Sequence, residues 1–399
     1  MKLWNPLSPD NIKDPYPMYE SLRTRAPIFR AHTGEWVVTG YSDVKAILKD
    51  NRFKAGNKKD WIERGVTYFK SKDQDFTAIA KAINSFVLLI NPPEHGQIRR
   101  FIMEAWKDHE VEQLISENVQ ELILPIKSLD SFDAVETFTS RLPALTISKI
   151  LGVPVDEYVR LRNAGRQLIK VINPYISYKE LVLMNKAAKE FIDFFRELIT
   201  QKTKIPEDDL VSNIVRLNKK SNETLSENQL ISICIFLFIA GEETTISFLS
   251  TTILNIGLNS KLKTQLTKRL DSFSDKVIDE LLRYDGPVHL LGRIAHNDFE
   301  YGGYNIRKND VITLCLASAN RDQKQFDRPN EIDIDRYANK HLAFGQGTHF
   351  CLGDWIARKQ AKIGLTAFLN TFPNYSVSNR IEWNDNLSIR SPKELRVQI

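Results

Sequence analysis

The sequence predicts a mostly α-helical protein of the α+β class, built as one large body. Helical periodicity dominates from about residue 94 to Tyr284 and breaks at Gly152-Val153-Pro154, Pro174 and Pro206. The stretch from Gly286 to Ala319 then changes to a β-rich pattern. Glycine, proline and serine are scattered rather than concentrated in a linker, so we expect one domain over the whole chain.

Local signals predict the elements that precede the helical region. Residues 27–40 alternate around His32-Thr33-Gly34, which is typical of a short hairpin. Ser42 is expected to cap a helix from Asp43 to Lys49. Pro92-Pro93 precede a further helix with an acidic residue in its first turn, as helix starts prefer.

The C-terminal third is predicted from similar signals. Gly302-Gly303 mark a turn inside the β-rich stretch, and a loop-rich segment follows as far as Gly353. A helix then extends to about Asn370. The tail, with Trp383 and residues 387–390, predicts strands and turns.

Composition argues against several classes of protein. The net charge of +5 is small for 399 residues, and a nucleic-acid binder needs a concentrated basic stripe, so we expect no nucleic-acid partner. The three cysteines, Cys234, Cys315 and Cys351, form no disulfide framework and suit a reducing cytosol. We therefore expect a cytoplasmic protein with a single domain over residues 1–399.

No membrane segment is expected. The first ten residues lack the apolar core of a signal peptide or anchor. The most apolar run, Leu230 to Gly241, holds about a dozen residues, whereas a membrane span needs about 20. This run is expected to be a buried helix of a soluble protein.

The most informative motif is a cysteine in a glycine-rich turn, Phe344-Gly345-Gln346-Gly347-Thr348-His349-Phe350-Cys351-Leu352-Gly353. Glycines allow left-handed backbone and close approach to another body. The turn precedes a predicted helix, whose first N–H groups stabilise a thiolate. Phe344 and Phe350 flank it with apolar surface, which suits a flat hydrophobic cofactor.

Two other interpretations apply to Cys351. A free cysteine is usually a small buried hydrophobe. It could also be a nucleophile with His349 as its base, but no third residue that would orient the base is evident. The glycines and aromatics around it favour a metal ligand.

A second motif, Ala240-Gly241-Glu242-Glu243-Thr244-Thr245, interrupts an apolar helix. Carboxylates in such a place are costly unless they are paired or solvated. Gly241 and the threonines could open the helix locally. Alternatively Gly241 ends one helix and the acids cap the next, although apolar periodicity continues from Ser247 to Ile256.

These two motifs resemble the haem-binding loop and the oxygen-activating helix of the cytochromes P450. The resemblance extends from Pro15-Tyr16-Pro17 to the last strand and is greatest to the soluble bacterial branch. It implies a single-domain, triangular helical prism with a small β-rich lobe, and a monomer. It also implies haem b with the Cys351 thiolate as iron ligand.

The resemblance further assigns Glu243 as an acid and Thr244 as an alcohol that guide protons to dioxygen, with Glu242 at a variable position. Ala240 and Gly241 would contact the haem from this helix. The implied reaction inserts one oxygen atom of O2 into a small apolar organic substrate. Electrons would come from NAD(P)H through a reductase and an acidic ferredoxin or flavodoxin.

Three residues match the structural ion-pair network of the family. Glu280 and Arg283, at i,i+3 spacing, correspond to its Glu-x-x-Arg pair, and Arg336 corresponds to its second arginine. As an isolated motif the pair would be an ordinary surface ion pair. The resemblance implies that the three residues stabilise the fold.

Positions that match the cofactor site are spread along the chain. Two propionates need cationic or hydrogen-bonding partners, although each candidate alone could be an ordinary surface residue. The implied haem-binding residues beyond the oxygen-activating helix are His95, Arg99, Arg293, Phe344, Gly345, His349, Cys351 and Gly353.

The substrate pocket is implied only by position in the family. His289 and Arg390 could recognise a carbonyl or carboxylate, or could be buried structural residues. The other members are apolar, as binding of an apolar substrate requires. The implied pocket residues are Phe86, Val87, Leu88, Ile235, Ile239, Val288, His289, Leu290, Leu291, Ile389 and Arg390.

Basic residues near the cysteine turn could form a docking face for an acidic electron donor, or could be ordinary solvated side chains. They are Arg100, Lys107, Arg358, Lys359 and Lys362. Small departures from the family at Trp106, Asp354 and Gln360 bear on packing and docking. A peroxide-driven peroxygenase, a haem-thiolate isomerase or decarboxylase, and a haem sensor remain alternative functions.

Overall fold

The structure is a computed structural model that describes residues 4–56, 62, 75–106, 111–221, 224–269, 274–337 and 339–399. Its helices in chain order are α1 Pro9–Lys13, α2 Tyr16–Arg25, α3 Tyr41–Lys49, α4 Thr77–Ile83, α5 Glu94–Ala105, α6 Val111–Ile123, α7 Arg141–Leu151, α8 Tyr158–Leu168, α9 Tyr178–Lys204, α10 Leu210–Lys220, α11 Glu227–Leu258, α12 Ser260–Thr267, α13 Asp275–Asp285, α14 Leu316–Ala319 and α15 Asp354–Thr371. Its strands are β1 Ile28–Arg30, β2 Trp36–Val38, β3 Phe53–Ala55, β4 Ser131–Asp133, β5 Leu290–Ala295, β6 Phe299–Tyr301, β7 Tyr304–Ile306, β8 Val311–Cys315, β9 Ser376–Val377 and β10 Arg396–Gln398. The predicted mostly helical α+β class is confirmed.

Local signals located most helix boundaries correctly. α5 begins at Glu94 with Pro93 as its N-cap, α7 ends before Gly152 at φ +71°, and α9 ends before Pro206. The prediction that Ser42 caps α3 is wrong. The helix begins at Tyr41 with Gly40 as N-cap, and the Tyr41 N–H donates to Asp322 Oδ2 at 2.9 Å. A residue distant in sequence therefore takes the capping role that Ser42 was expected to fill.

By its contacts the chain divides into two compact units. The first comprises Met1–Lys54, Val111–Pro143 and Thr244–Ile399, and the second comprises Ala55–Glu110 and Ala144–Glu243. Helix α11 contributes residues to both units because the division falls between Glu243 and Thr244.

Three sheets position the loops that follow them. The largest has the strand order β1-β2-β8-β5-β3, in which β1 and β2 form the predicted antiparallel hairpin with Gly34 at φ +99°. β2 pairs with β8 in parallel, and β5 pairs with β8 antiparallel. β4, β10 and β9 form a second sheet, and β6 and β7 form a hairpin that turns at Gly302-Gly303.

Each unit has an apolar interior. In the first unit, α3 packs with the largest sheet through Val38, Val44, Ile47 and Leu314. In the second unit, Phe191 of α9 and Phe238 of α11 are fully buried, with ring centroids 5.7 Å apart. Burial on this scale makes α9 and α11 stable elements on which polar side chains can be positioned.

Helix α11 is longer than the apolar run from which it was predicted. Its 32 residues include a window long and apolar enough to cross a membrane, but 72% of that window is buried within the protein. Burial of this extent is typical of a core helix. The prediction of a buried helix therefore agrees with the structure, whereas the argument that the segment is too short for a span does not.

Candidate functional site

The cysteine turn lies directly before α15 in the first unit. The Cys351 N–H donates to the Phe344 carbonyl at 2.9 Å, which closes the turn, and Gly353 is the N-cap of α15. Cys351 is half-buried, unlike Cys234 and Cys315, which are fully buried. A partly accessible thiol before the first turn of an 18-residue helix is well placed to act as a thiolate ligand.

The turn requires its glycines. Gly345 and Gly347 have φ of +70° and +71°, in the left-handed region that side chains disfavour. A Cβ on Gly347 would also lie 2.7 Å from the Leu48 carbonyl oxygen. The rings of Phe344 and Phe350 meet edge to face with centroids 6.4 Å apart, so two aromatic side chains flank the cysteine turn.

A cluster of polar residues attaches the turn to two helices. Asp279 of α13 hydrogen-bonds His341 at 3.0 Å and pairs with Arg358 of α15, whose guanidinium lies 4.8 Å from the Phe344 ring centroid. Burial would raise the pKa of Asp279, but His341 and Arg358 hold it below its usual value. Arg358 is thus engaged by Asp279, although the sequence suggested it as a docking residue.

The predicted ion-pair network is assembled in the interior of the first unit. Glu280 and Arg283 are 0% and 1% exposed and form two hydrogen bonds of 2.8 Å. Arg336 Nε donates to Glu280 Oε2 at 3.0 Å, as does Asn339 Nδ2, and the Asp333 N–H donates to Oε1 at 2.7 Å. The structure therefore brings Glu280, Arg283 and Arg336 into contact with one another, with their side chains buried.

Arg293 lies on β5 with an unused donor. Its guanidinium donates from Nη1 to the Gly292 carbonyl at 2.9 Å, whereas Nη2 is buried with no acceptor among the described residues. Burial lowers the pKa of Arg293 to about 10. A buried cation with a free donor can donate a hydrogen bond to a carboxylate of a bound group, which fits the propionate role.

The other anchor candidates are divided between the units. His95 and Arg99 lie one turn apart on α5 in the second unit, with His95 buried. Burial lowers the pKa of His95, and the charge of Arg99 lowers it further, so the imidazole is neutral near pH 7. His349 is half-buried on the short 3-10 turn of the cysteine loop in the first unit.

The acidic motif lies within an unbroken helix. α11 continues from Glu227 to Leu258, so Gly241 neither opens nor ends it, and both of those expectations are wrong. The role of Gly241 is close packing, because an added Cβ would lie 3.0 Å from the Ile147 side chain of α7. Ala240, Glu243 and Thr244 are half-buried in a helix that is otherwise largely enclosed.

Two arginines of α8 face the two acids. Arg162 Nε lies 3.4 Å from Glu242 Oε1, and Arg166 Nε lies 3.7 Å from Glu243 Oε1. Glu242 is completely buried. Burial raises the pKa of both glutamates, which the two arginines partly oppose. Sequence reasoning missed these arginines; their i,i+4 spacing on a predicted helix was the available signal.

The predicted pocket residues form two groups. In the second unit, Phe86 and Val87 are buried, and the Phe86 ring lies 5.5 Å from that of Phe236 on α11. Ser232 of α11 accepts from the Ser85 N–H at 2.8 Å and so holds this segment to the helix. Leu88 is half-buried, and Ile235 and Ile239 of α11 are buried.

In the first unit, residues 287–291 and 387–390 run side by side. Val288 and Ile389 form a β-bridge, and the His289 N–H donates to the Ser388 carbonyl at 2.8 Å. Leu290 is buried and Leu291 is half-buried. The structure thus brings together all the pocket candidates of this unit.

His289 and Arg390 both contact protein groups. His289 Nε2 lies 3.7 Å from Asp285 Oδ1, and Arg390 donates to the carbonyls of Ile12 and Lys13 at 3.0 and 2.8 Å. The Arg390 guanidinium also lies 3.1 Å from the Trp383 ring centroid. The pocket that both residues line holds about 30 Å³, roughly the volume of one water molecule.

The basic residues proposed for docking differ in availability. Lys359 pairs with Glu112 at 3.0 Å, and Arg358 is paired as described above, whereas Lys362 on the same helix is exposed. Arg100 is exposed on α5 in the second unit. Lys107 lies outside the described residues.

Comparisons with known proteins identify the family. The family model for cytochrome P450 matches residues 21–385. The chain is a cytochrome P450. The biotin biosynthesis cytochrome P450 of Bacillus subtilis (strain 168) is 31% identical over 383 residues, covering 94% of this chain and 93% of its own. The polyketide biosynthesis cytochrome P450 PksS of the same organism is 29% identical, and the match covers 100% of this chain and 98% of that relative.

Solved structures agree in fold. The crystal structure of P450BioI in complex with an acyl carrier protein ligated to hexadec-9Z-enoic acid has a TM-score of 0.89 at 28% identity, covering 98% of this chain and all of that one. The predicted cytochrome P450 fold is therefore confirmed. The protein is a P450 monooxygenase, an oxidoreductase of the haem-thiolate class.

Proposed function

We propose that this P450 inserts one oxygen atom of O2 into an apolar organic substrate, with Cys351 as the thiolate ligand of haem b. The observation that carries the proposal is the glycine-built turn, which holds a half-buried thiol ahead of α15. The overall reaction is R–H + O2 + NAD(P)H + H⁺ → R–OH + NAD(P)⁺ + H2O. The haem, when bound, would supply oxygen activation favoured by its thiolate ligand.

The other proposed cofactor contacts come from the cysteine loop, β5, α5 and α11. Arg293 would donate from its unused Nη2 to one propionate, and His349 would hydrogen-bond a propionate from the cysteine loop. His95 and Arg99 of α5 would also donate hydrogen bonds to a propionate. Apolar and backbone contacts would come from Ala240, Gly241, Phe344, Gly345 and Gly353.

Within α11, Glu243 and Thr244 would deliver protons. Burial raises the pKa of Glu243, so its carboxyl retains a proton to higher pH than an exposed glutamate, as a proton donor requires. The adjacent hydroxyl of Thr244 would pass that proton to dioxygen. This pair supports O2-dependent chemistry over a peroxide-driven reaction, which needs no proton delivery of this kind.

The direct test compares electron sources. Purified holoprotein, given NAD(P)H, a reductase and a ferredoxin or flavodoxin under isotopically labelled dioxygen, should form a product with one labelled oxygen atom. Turnover with peroxide alone would favour the peroxygenase. Rearranged or decarboxylated product without NAD(P)H would favour the isomerase or decarboxylase, and stable CO or O2 binding without turnover would favour the sensor.

Substrate candidates come from the relatives. One carries biotin biosynthesis in its name, another polyketide biosynthesis, and the solved relative holds a fatty acyl chain on an acyl carrier protein. Buried apolar residues at Phe86, Val87, Ile235 and Ile239 suit an acyl chain. Long-chain fatty acids, free and linked to carrier protein, are therefore the first compounds to screen by substrate-induced spectral shift and product analysis.

Further proposals concern the state of the protein. The relatives match this chain over almost their whole length, which supports one P450 domain over residues 1–399. We propose that it acts as a cytoplasmic monomer served by separate electron-transfer proteins.

Thr244→Ala should retain haem and substrate binding but divert reducing equivalents to hydrogen peroxide. Product per NAD(P)H should fall at least about tenfold, because a hydrogen bond to a charged group is worth about 1.5–3 kcal/mol and 1.36 kcal/mol is tenfold in rate. Oxygen consumption, peroxide and product are measured together. Thr245→Ala, at the neighbouring buried position, is the matched control, and unchanged coupling in Thr244→Ala would contradict the relay.

Lys362→Glu should slow reduction by an acidic ferredoxin several-fold at low salt, because a basic surface steers an acidic partner. Lys362 is a cleaner test than Arg358, whose pairing with Asp279 also supports the cysteine turn. Stopped-flow reduction by ferredoxin is compared with reduction by dithionite, which should not change. Equal rates for variant and wild type at low salt would show that the donor docks elsewhere.

A further inference from the structure

Glu242 is the most enclosed carboxylate of the acidic motif. Its side chain is 0% exposed, and neither of its oxygens accepts a hydrogen bond among the described residues. The neighbouring Glu243 is 14% exposed. Burial without hydrogen bonds makes the ionised form costly even beside Arg162, so a carboxyl in this position is expected to hold a proton.

Helix α8 places two arginines and a glycine opposite these acids. Arg162 and Arg166 are one turn apart, so each faces one glutamate, and Arg162 is largely buried whereas Arg166 is 44% exposed. Between them lies Gly165, where an added Cβ would be 3.9 Å from Glu242 Oε2. A Cβ at that distance would be in ordinary van der Waals contact, so the backbone of α8 lies close to the carboxyl at this point.

We propose that Glu242 is a second proton-holding residue of the relay and passes its proton to Glu243. This role rests on the monooxygenase function proposed above. In the step, the Glu242 O–H bond breaks and the proton moves to the Glu243 carboxylate. The charge left on Glu242 is stabilised by Arg162, 3.4 Å away, and solvent restores the proton on the side where Arg166 is exposed.

The reaction requires two protons for each oxygen atom inserted, so a second carboxyl that holds a proton could take part. Each oxygen atom inserted consumes two electrons and two protons at dioxygen. A single glutamate must be reprotonated from solvent between the two transfers. A neighbouring acid that already holds a proton can supply the second one without exchange through the protein surface.

The electrostatics agree with Glu242 holding its proton while Glu243 donates first. Burial raises the pKa of Glu242 well above its ordinary value, and the charge of Glu243 raises it further. Arg162 and Arg166 lower the pKa of both acids. On the α7 side, the neighbour of the motif is the apolar Ile147, which packs on Gly241 and adds no charge.

Glu242→Gln tests the proposal with little change in shape. Product formation should fall on the order of tenfold, less than the 10²–10⁴ of a general acid itself. Peroxide should rise, and the alkaline limb of the pH–rate profile should move to lower pH. Glu242→Asp should restore part of the rate. Wild-type rate, coupling and pH profile in Glu242→Gln would overturn the proposal.

A matched control removes a different ion pair of α8. Glu190 of α9 pairs with Arg160 of α8 at 3.0 Å on the surface of the same unit. Glu190→Gln should leave the pH profile and coupling unchanged. If it reproduced the effects of Glu242→Gln, the acid would only position α8 and the proton-holding role would be wrong.

Two readouts do not depend on turnover. The infrared difference spectrum between wild type and Glu242→Gln near neutral pH should contain the band of a buried protonated carboxyl, whereas the difference spectrum between wild type and Glu190→Gln should not. Below about pH 4.3, the ordinary pKa of glutamate, the difference in stability between wild type and Glu242→Gln should not vary with pH. As pH rises toward the raised folded pKa, wild type should lose stability relative to the variant.

These readouts separate the two proposals. If wild type forms no product with NAD(P)H and a donor, the monooxygenase proposal fails, whatever the infrared band shows. If wild type turns over but the difference band of Glu242→Gln is missing and the stability difference does not vary with pH, only the role of Glu242 fails.

Discussion

Cys351→Ala is expected to abolish the red-shifted Soret band of the reduced CO complex, together with all NAD(P)H-dependent product formation. Cys351 is the only described cysteine that is half-buried, and it lies ahead of the first turn of α15. A thiolate supplies the electron donation that both the spectrum and the chemistry require, and alanine has no group to replace it. The absorption spectrum of the reduced protein under CO measures the effect directly.

The other two cysteines provide the controls. Burial raises the pKa of Cys234 to about 12 and raises that of Cys315 further, so neither thiol ionises near neutral pH. Cys234→Ala and Cys315→Ala should therefore keep the thiolate band. Persistence of the band in Cys351→Ala, or its loss in either control alone, would assign the ligand to a different cysteine.

The cysteine turn could be predicted because its information is local. Gly345 and Gly347 adopt left-handed backbone, and the helix that follows starts immediately after Gly353. Such turns depend on residues a few positions apart, which a single sequence displays. The same reason explains the correct prediction of the hairpin at Gly34 and of the start of α5 after Pro93.

Sequence-based prediction could not find contacts in which the interacting residue comes from a distant part of the chain. The N-cap of α3 was misassigned because Asp322, not Ser42, receives the Tyr41 N–H. Arg358 remains a candidate docking residue, but the sequence did not reveal its partner Asp279, which lies on another helix. Sequence spacing shows which residues share one helix face and does not show what lies opposite.

The acidic motif combines both situations. The family resemblance assigned Glu243 and Thr244 as an acid–alcohol pair and placed Glu242 at a variable position. Only the packing of α8 on α11 shows that Arg162 and Gly165 lie against this carboxyl and enclose it. Burial converts an unremarkable glutamate into one with a strongly raised pKa, which is a property of the fold and not of the motif.

Glu280→Ala is expected to destabilise the protein by about 3–5 kcal/mol, because removing one member of a buried ion network leaves uncompensated charge. Arg283 would lose both of its carboxylate hydrogen bonds while 1% exposed, and Arg336 would lose the 3.0 Å bond to Glu280. Little soluble holoprotein should accumulate, and the unfolding midpoint of what remains should fall sharply.

Asp335→Ala is the matched control for this network. It removes the ion pair with Arg269, in which the side chains are 50% and 66% exposed, and exposed pairs contribute about 0–1 kcal/mol. Yield, haem content and urea denaturation of the two variants are compared under the same conditions. Because Glu280 also accepts the Asp333 N–H at 2.7 Å, its loss should loosen the segment that carries Arg336 as well. Equal stability of Glu280→Ala and Asp335→Ala would show that the network contributes no more than a surface pair, and that another part of the first unit holds the segment before the cysteine turn.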